Sequence, residues 1–107
     1  MRIRSAQPST LPVATAHLSI HGIVQGVGYR DAFSLQALER GVHGWVRNRR
    51  DGSVEAVIQG DAYAVEAVIR WAGRGPAAAR VDRLDNRAAS TDEAATVQPG
   101  FRRLPTA

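Results

Sequence analysis

Nine residues constrain this chain more than any other stretch: Gly22-Ile23-Val24-Gln25-Gly26-Val27-Gly28-Tyr29-Arg30. The alternating run Leu18-Ser19-Ile20-His21 before them reads as a strand, and Asp31-Ala32-Phe33-Ser34-Leu35-Gln36-Ala37-Leu38 after them reads as a helix. Glycines there let successive backbone N–H groups turn toward one point without Cβ clashes. A helix N-terminus adds free N–H groups and the positive end of its dipole. Arg30 supplies a permanently charged planar fork at the same place. The stretch therefore points to a small oxyanion, a phosphoryl group above all. The plainer alternative is turn punctuation beside a solvated arginine. The spacing is neither a Walker loop, which ends Gly-Lys-Ser/Thr, nor a dinucleotide fingerprint.

The rest of the chain supplies a frame for that loop. Residues 1–15 hold Pro8, Pro12 and small polar residues without a period, and are expected to form a disordered arm preceding a domain at 16–107. From His17, Leu18 and Ile20 share one face of a first strand. His17 and His21 face the other way, about 13 Å apart at ~3.3 Å per residue, so they cannot share a metal within the strand and read as exposed. A helix follows over about Tyr29–Arg40, with Phe33, Ala37 and Leu38 as its apolar stripe and Gly41 as its cap. Val42–Asn48 and Ser53–Gln59 form a hairpin across Asp51-Gly52. Asp61 is placed to cap a second helix through Ala62, Val65, Val68, Ile69 and Ala72, which Gly75-Pro76 ends. A fourth strand spans roughly Ala79–Leu84, residues 86–99 read as a loop, and Gly100–Pro105 offers a short edge strand.

The order βαββαβ predicts an α+β, ferredoxin-like sandwich: an antiparallel sheet with two helices on one face and a short fifth edge strand. In that arrangement the first two strands run the same way, which brings Asn48 to the edge of the sheet that carries the glycine loop and Arg30.

At 107 residues the chain supports one modest core. It has no cysteine, which excludes disulfides, thiolate chemistry and cysteine-based zinc sites. No apolar run approaches the ~18 residues of a membrane span, and the first ten residues lack the apolar core of a signal peptide, so the expected compartment is the cytoplasm. Net charge is +4, all of the basic residues being arginine. They are dispersed apart from Arg47, Arg49 and Arg50, and aromatic interleaving is thin, so a field drawing in anionic substrates explains the charge as well as nucleic acid does. Trp45 and Trp71 read as packing residues, and Arg47 as a solvated strand residue.

Several separated motifs resemble the acylphosphatase family. The first is Gly22-x-Val24-Gln25-Gly26-Val27-x-Tyr29-Arg30; the second runs Gly41-Val42-x-Gly44-Trp45-Val46-Arg47-Asn48-x-x-Asp51-Gly52-x-Val54-Glu55. Gly60, Val65, Trp71, Gly75-Pro76 and Val81 keep the family's spacing, so the resemblance covers about His17–Leu84. It implies hydrolysis of acyl phosphates to a carboxylate and inorganic phosphate, with no cofactor and no metal. It also implies roles: Arg30 and the backbone N–H groups of Gln25, Gly26, Val27, Gly28, Tyr29 and Arg30 would hold the phosphoryl group, and Asn48 would orient the attacking water. Tyr29 stands where phenylalanine is frequent in the family, and Phe101-Arg102-Arg103-Leu104 alternates less cleanly than the family's last strand. The expected partner is a small acyl phosphate, with no nucleic acid and no membrane, bound by a monomer.

Two other functions fit the same fold. One is a non-catalytic module for RNA or another anionic partner, which would display aromatics on its open sheet face; His17, Ser19 and His21 stack poorly in that role. The other is the acylphosphatase-like domain of hydrogenase maturation proteins, which handles carbamoyl phosphate and heads longer multi-domain chains.

Overall fold

The computed structural model describes residues 12–107. Its elements are β1 (Val13–Ile23), α1 (Tyr29–Glu39), β2 (His43–Asn48), β3 (Val54–Asp61), α2 (Ala62–Ala72), β4 (Arg80–Ala88), α3 (Thr91–Ala94) and β5 (Phe101–Arg103). The strands form one sheet in the order β4-β1-β3-β2-β5. β3 runs antiparallel to both neighbours, so β1 and β2 point the same way. Ile20, Val54 and Asn48 form one row across the sheet near the end where both strands finish. The sheet is mixed rather than wholly antiparallel, because β5 runs parallel to β2.

α1 and α2 pack on one face. Leu18, Ile20, Val46, Val54, Ala56 and Ile58 meet Phe33, Ala37, Val65 and Val68 there, each 3% exposed or less. Burying a side chain of the Leu, Ile or Phe class contributes about 1.5–3 kcal/mol, so these few positions dominate what holds the helices down. Tyr29, Phe33 and Ala37 form the buried line of α1, one helical turn apart, whereas Leu38 is 57% exposed. The expected stripe thus holds for Phe33 and Ala37 and fails at Leu38, which lies a further 100° round the helix.

β1 begins at Val13, earlier than the strand read from His17. Val13, Ala14 and Thr15 pair with Asp61, Gly60 and Gln59 of β3, so these three residues belong to the sheet and not to an arm. The remainder of the expected arm, residues 1–11, lies outside the described residues. β4 extends to Ala88, beyond the expected end at Leu84. It is an edge strand with mostly exposed side chains, so no apolar alternation was needed to carry it on.

The face opposite the helices is not open. His17, Val57 and Trp45 make a cross-strand row there, and all three are buried. The segment between β4 and β5, expected to be a loop, contains α3, whose start is a reciprocal cap. Ser90 Oγ accepts the Glu93 N–H, and Glu93 Oε1 accepts the Ser90 N–H. Trp45 Nε1 donates to Thr96 Oγ1 at 2.7 Å, tying this segment to the sheet.

His17, expected to be exposed, is 8% exposed and hydrogen-bonds through Nε2 to Glu55 Oε2 at 2.8 Å. Arg47 Nε and Arg49 Nη1 donate to the other carboxylate oxygen at 2.8 and 3.1 Å, and the Arg47 guanidinium lies 4.9 Å above the Trp45 ring. Arg47 is therefore a paired and stacked residue rather than a solvated one. Burial pushes the Glu55 carboxyl up, but the hydrogen bonds from His17, Arg47 and Arg49 outweigh it and hold it below the usual carboxylate range.

Candidate active site

The glycine loop occupies residues 24–28, between β1 and α1. Val24, 1% exposed, anchors its start in the core. Gly26 and Gly28 both take left-handed conformations, with φ of 74° and 79°. Nothing lies within 4 Å of where a Cβ would stand at either, so conformation rather than space requires glycine. Gly28 is also the N-cap of α1 and offers no side chain to its N–H groups. Among the described residues, no backbone N–H from Gln25 to Arg30 is taken by another protein group. The sequence has assembled a run of free donors at the positive end of a helix.

Of this run, Gly26, Gly28, Tyr29 and Arg30 line a cavity of about 120 Å³ together with Val24, Asp31 and Arg103, whereas Gln25 does not. That is well below the ~300–1,000 Å³ of pockets for drug-sized ligands, and suits a small ionic group. Arg30 is half-buried, and its guanidinium has no hydrogen-bond or ion-pair partner among the described residues. Its five N–H donors therefore have no protein acceptor among the described residues.

Tyr29 fixes the start of α1. Its ring packs 5.5 Å from Trp71 and 6.1 Å from Phe33, and its hydroxyl donates to the Ala72 carbonyl at 2.8 Å. Burial raises the hydroxyl's pKa well above its ordinary value, so it stays a neutral donor. Tyr29 thereby ties the helix start to the end of α2, and Trp71 is the packing residue its sequence suggested.

Gln25 does more than contribute a backbone N–H. Its side-chain Nε2 donates to the carbonyls of Arg49 at 2.7 Å and Ser53 at 2.9 Å, clamping the loop to the β2–β3 hairpin. The hairpin is rigidified in turn by Asp51, whose Oδ1 accepts from the Ser53 N–H at 2.9 Å and the Ser53 hydroxyl at 2.6 Å. Those two bonds hold the Asp51 carboxyl below its ordinary pKa.

Asn48 sits at the last position of β2, immediately before this clamp. Its carbonyl accepts the Ala107 N–H at 3.1 Å, while its Oδ1 is buried and accepts nothing among the described residues. An unpaired buried carbonyl oxygen costs about 1–3 kcal/mol. Asn48 does not line the cavity itself; it reaches the loop through the adjacent Arg49 carbonyl and Gln25. Val27 packs partly against the core rather than lining the cavity.

Asp31 and Arg103 went unmarked in the sequence. They form an ion pair at the cavity, Arg103 Nη1 donating to Asp31 Oδ1. Asp31 carried a signal, being next to Arg30 in the first helical turn. Arg103 carried none, because the sequence does not say that β5 lies beside β2. Among the described residues no group of three or more His, Cys, Asp or Glu is arranged as a metal site, and no helix is long and apolar enough to cross a membrane.

Comparison with known proteins bears on the family and the fold. The acylphosphatase family model matches residues 16–102. An acylphosphatase of Thermococcus kodakarensis is 60% identical over 70 residues, covering 65% of this chain and 77% of the relative. One of Rhodopseudomonas palustris is 48% identical over 91 residues, covering 83% of this chain and 92% of the relative. The solved structure of an acylphosphatase from Coxiella burnetii superposes with a TM-score of 0.75 at 28% identity, over 86% of this chain and 93% of that one. The chain belongs to the acylphosphatase family of enzymes.

Proposed function

We propose that the chain hydrolyses acyl phosphates by in-line attack of water at phosphorus, with the phosphoryl group held by Arg30 and the N–H groups of the Gly22–Arg30 loop, and the water oriented by Asn48. The observation that carries this reading is that an unpaired, half-buried arginine and residues with free backbone donors line one small cavity. The bond from phosphorus to the acyl oxygen breaks, a bond from phosphorus to the water oxygen forms, and the water's proton passes to the phosphate product or to solvent. The departing carboxylate has a conjugate acid of pKa about 4, so it leaves without a general acid. Positioning and charge stabilisation are what remain. Backbone donors and one arginine supply stabilisation where the equatorial oxygens gather charge. An amide is too weak a base to take the proton, so Asn48 acts by geometry, from the end of β2 beside the clamp that holds the loop.

The reaction class is tested by following acetyl phosphate hydrolysis with and without a chelator. Undiminished turnover in chelator is expected. Complete loss on chelation contradicts the mechanism, and no hydrolysis in either condition favours the binding module.

A further inference from the structure

Arg103 lines the cavity beside Arg30 but is not among the residues proposed to hold the phosphoryl group. β5 runs parallel to β2, with Val46 opposite Arg103, so it advances toward the loop end of the sheet. Phe101 stacks on Phe33 of α1, 5.7 Å between ring centroids. Alternation puts Arg103 on the same face two residues on. It therefore arrives at the first turn of α1, where it pairs with Asp31 and lines the cavity beside Arg30.

The pair itself contributes little to holding the fold. Its side chains are 43% and 72% exposed, and ion pairs in water are weak and easily exchanged. Without Arg103, the Asp31 carboxylate would stand unopposed at a cavity meant for anions. With it, the site holds two guanidinium forks, one without a protein partner and one lightly engaged. A guanidinium has five N–H donors and one carboxylate oxygen does not use them all.

We propose that Arg103 is a specificity-determining residue: it leaves Asp31 to grip a second anionic group on the acyl part of the substrate, so the enzyme favours acyl phosphates bearing a carboxylate on the acyl chain over neutral ones of equal length. The inference rests on the reading that the cavity at Arg30 takes the phosphoryl group.

Two stable phosphonates test it: 5-phosphonopentanoate, which carries a carboxylate about where a succinyl phosphate would, and pentylphosphonate, which lacks it. Their affinities are measured by titration calorimetry on the full chain, with acetyl phosphate hydrolysis followed in parallel. The wild type is expected to bind the carboxylate ligand about tenfold more tightly, in keeping with a charge-assisted pair. Arg103→Gln should bring the two affinities to within about twofold, with the loss falling on the carboxylate ligand. Asp31→Asn, which frees the Arg103 fork, should widen the wild-type ratio. An equal affinity for both ligands in the wild type overturns the proposal. So does an undiminished ratio in Arg103→Gln, or the same factor of weakening for both ligands. If acetyl phosphate is hydrolysed in any of those cases, the phosphoryl site stands and only the role of Arg103 falls. If acetyl phosphate is not hydrolysed and neither phosphonate binds, the phosphoryl site itself is wrong.

Discussion

Arg30 and Asn48 should fail in different ways when truncated. Arg30→Gln keeps a polar side chain but loses the charged fork, so turnover and inhibition by inorganic phosphate should both collapse. Asn48→Ala removes only an amide, so turnover should fall by ~10²–10³, the usual cost of one positioning donor, while phosphate still inhibits within a few-fold. Steady-state rates with phosphate as inhibitor separate the two, with circular dichroism as a check of fold. Wild-type turnover in a folded Asn48→Ala would remove its water-positioning role. Arg30 was legible as a candidate from the glycine run beside it, and Asn48 only through the family resemblance. His17 was not. Its partner Glu55 lies 38 residues away, and only the pairing of β1 with β3 makes that strand face an inside. Gln25 was half legible: its backbone belongs to the loop motif, but the acceptors of its side chain belong to another hairpin.

At the scale of elements, the sheet's edges carry the departures from sequence expectation. A chain beginning at Ala16 loses the hydrogen bonds of Thr15 to Ala89 and Gln59, and the pairing of Val13 and Ala14 with β3. At about 1 kcal/mol net per hydrogen bond, it should melt roughly 5–15 °C below a chain beginning at Pro12, as read by thermal circular dichroism. Equal melting temperatures would mean that the first turn of β1 adds nothing. The β4–β5 segment makes a second test through Glu93. Hydrogen bonds from the Arg87 guanidinium, both at 2.8 Å, and from the Ser90 N–H lower its carboxyl to about 2. A carboxyl lowered on folding adds stability above its unfolded pKa, and that stability drains away as pH falls toward the folded value. Glu93→Gln should therefore melt a few degrees below wild type at pH 7, with the gap closing between about pH 4.5 and 2. A gap unchanged at pH 2 would show that charge is not what Glu93 contributes. The signal for α3, Ser90 followed three residues later by Glu93, was present in the sequence, but with no apolar run behind it the capping box did not stand out.

For the whole molecule, element order carried most of the architecture. β1 and β2 end at the same edge because β3 lies between them, and that topology joins a glycine loop to an asparagine eighteen residues beyond its arginine. What element order did not carry was the parallel placement of β5, which is a long-range pairing of only three residues and which brings Arg103 to the cavity. Family membership makes acyl phosphate hydrolysis the expected reaction; the central claim is that phosphorus, and not the acyl carbon, is where water attacks. The direct measurement is hydrolysis of acetyl phosphate in ¹⁸O-enriched water containing a chelator, followed by mass analysis of both products. Attack at phosphorus in the Arg30 cradle predicts one heavy oxygen in the inorganic phosphate and none in the acetate. Label in the acetate would place the attack at the carbonyl and contradict the mechanism.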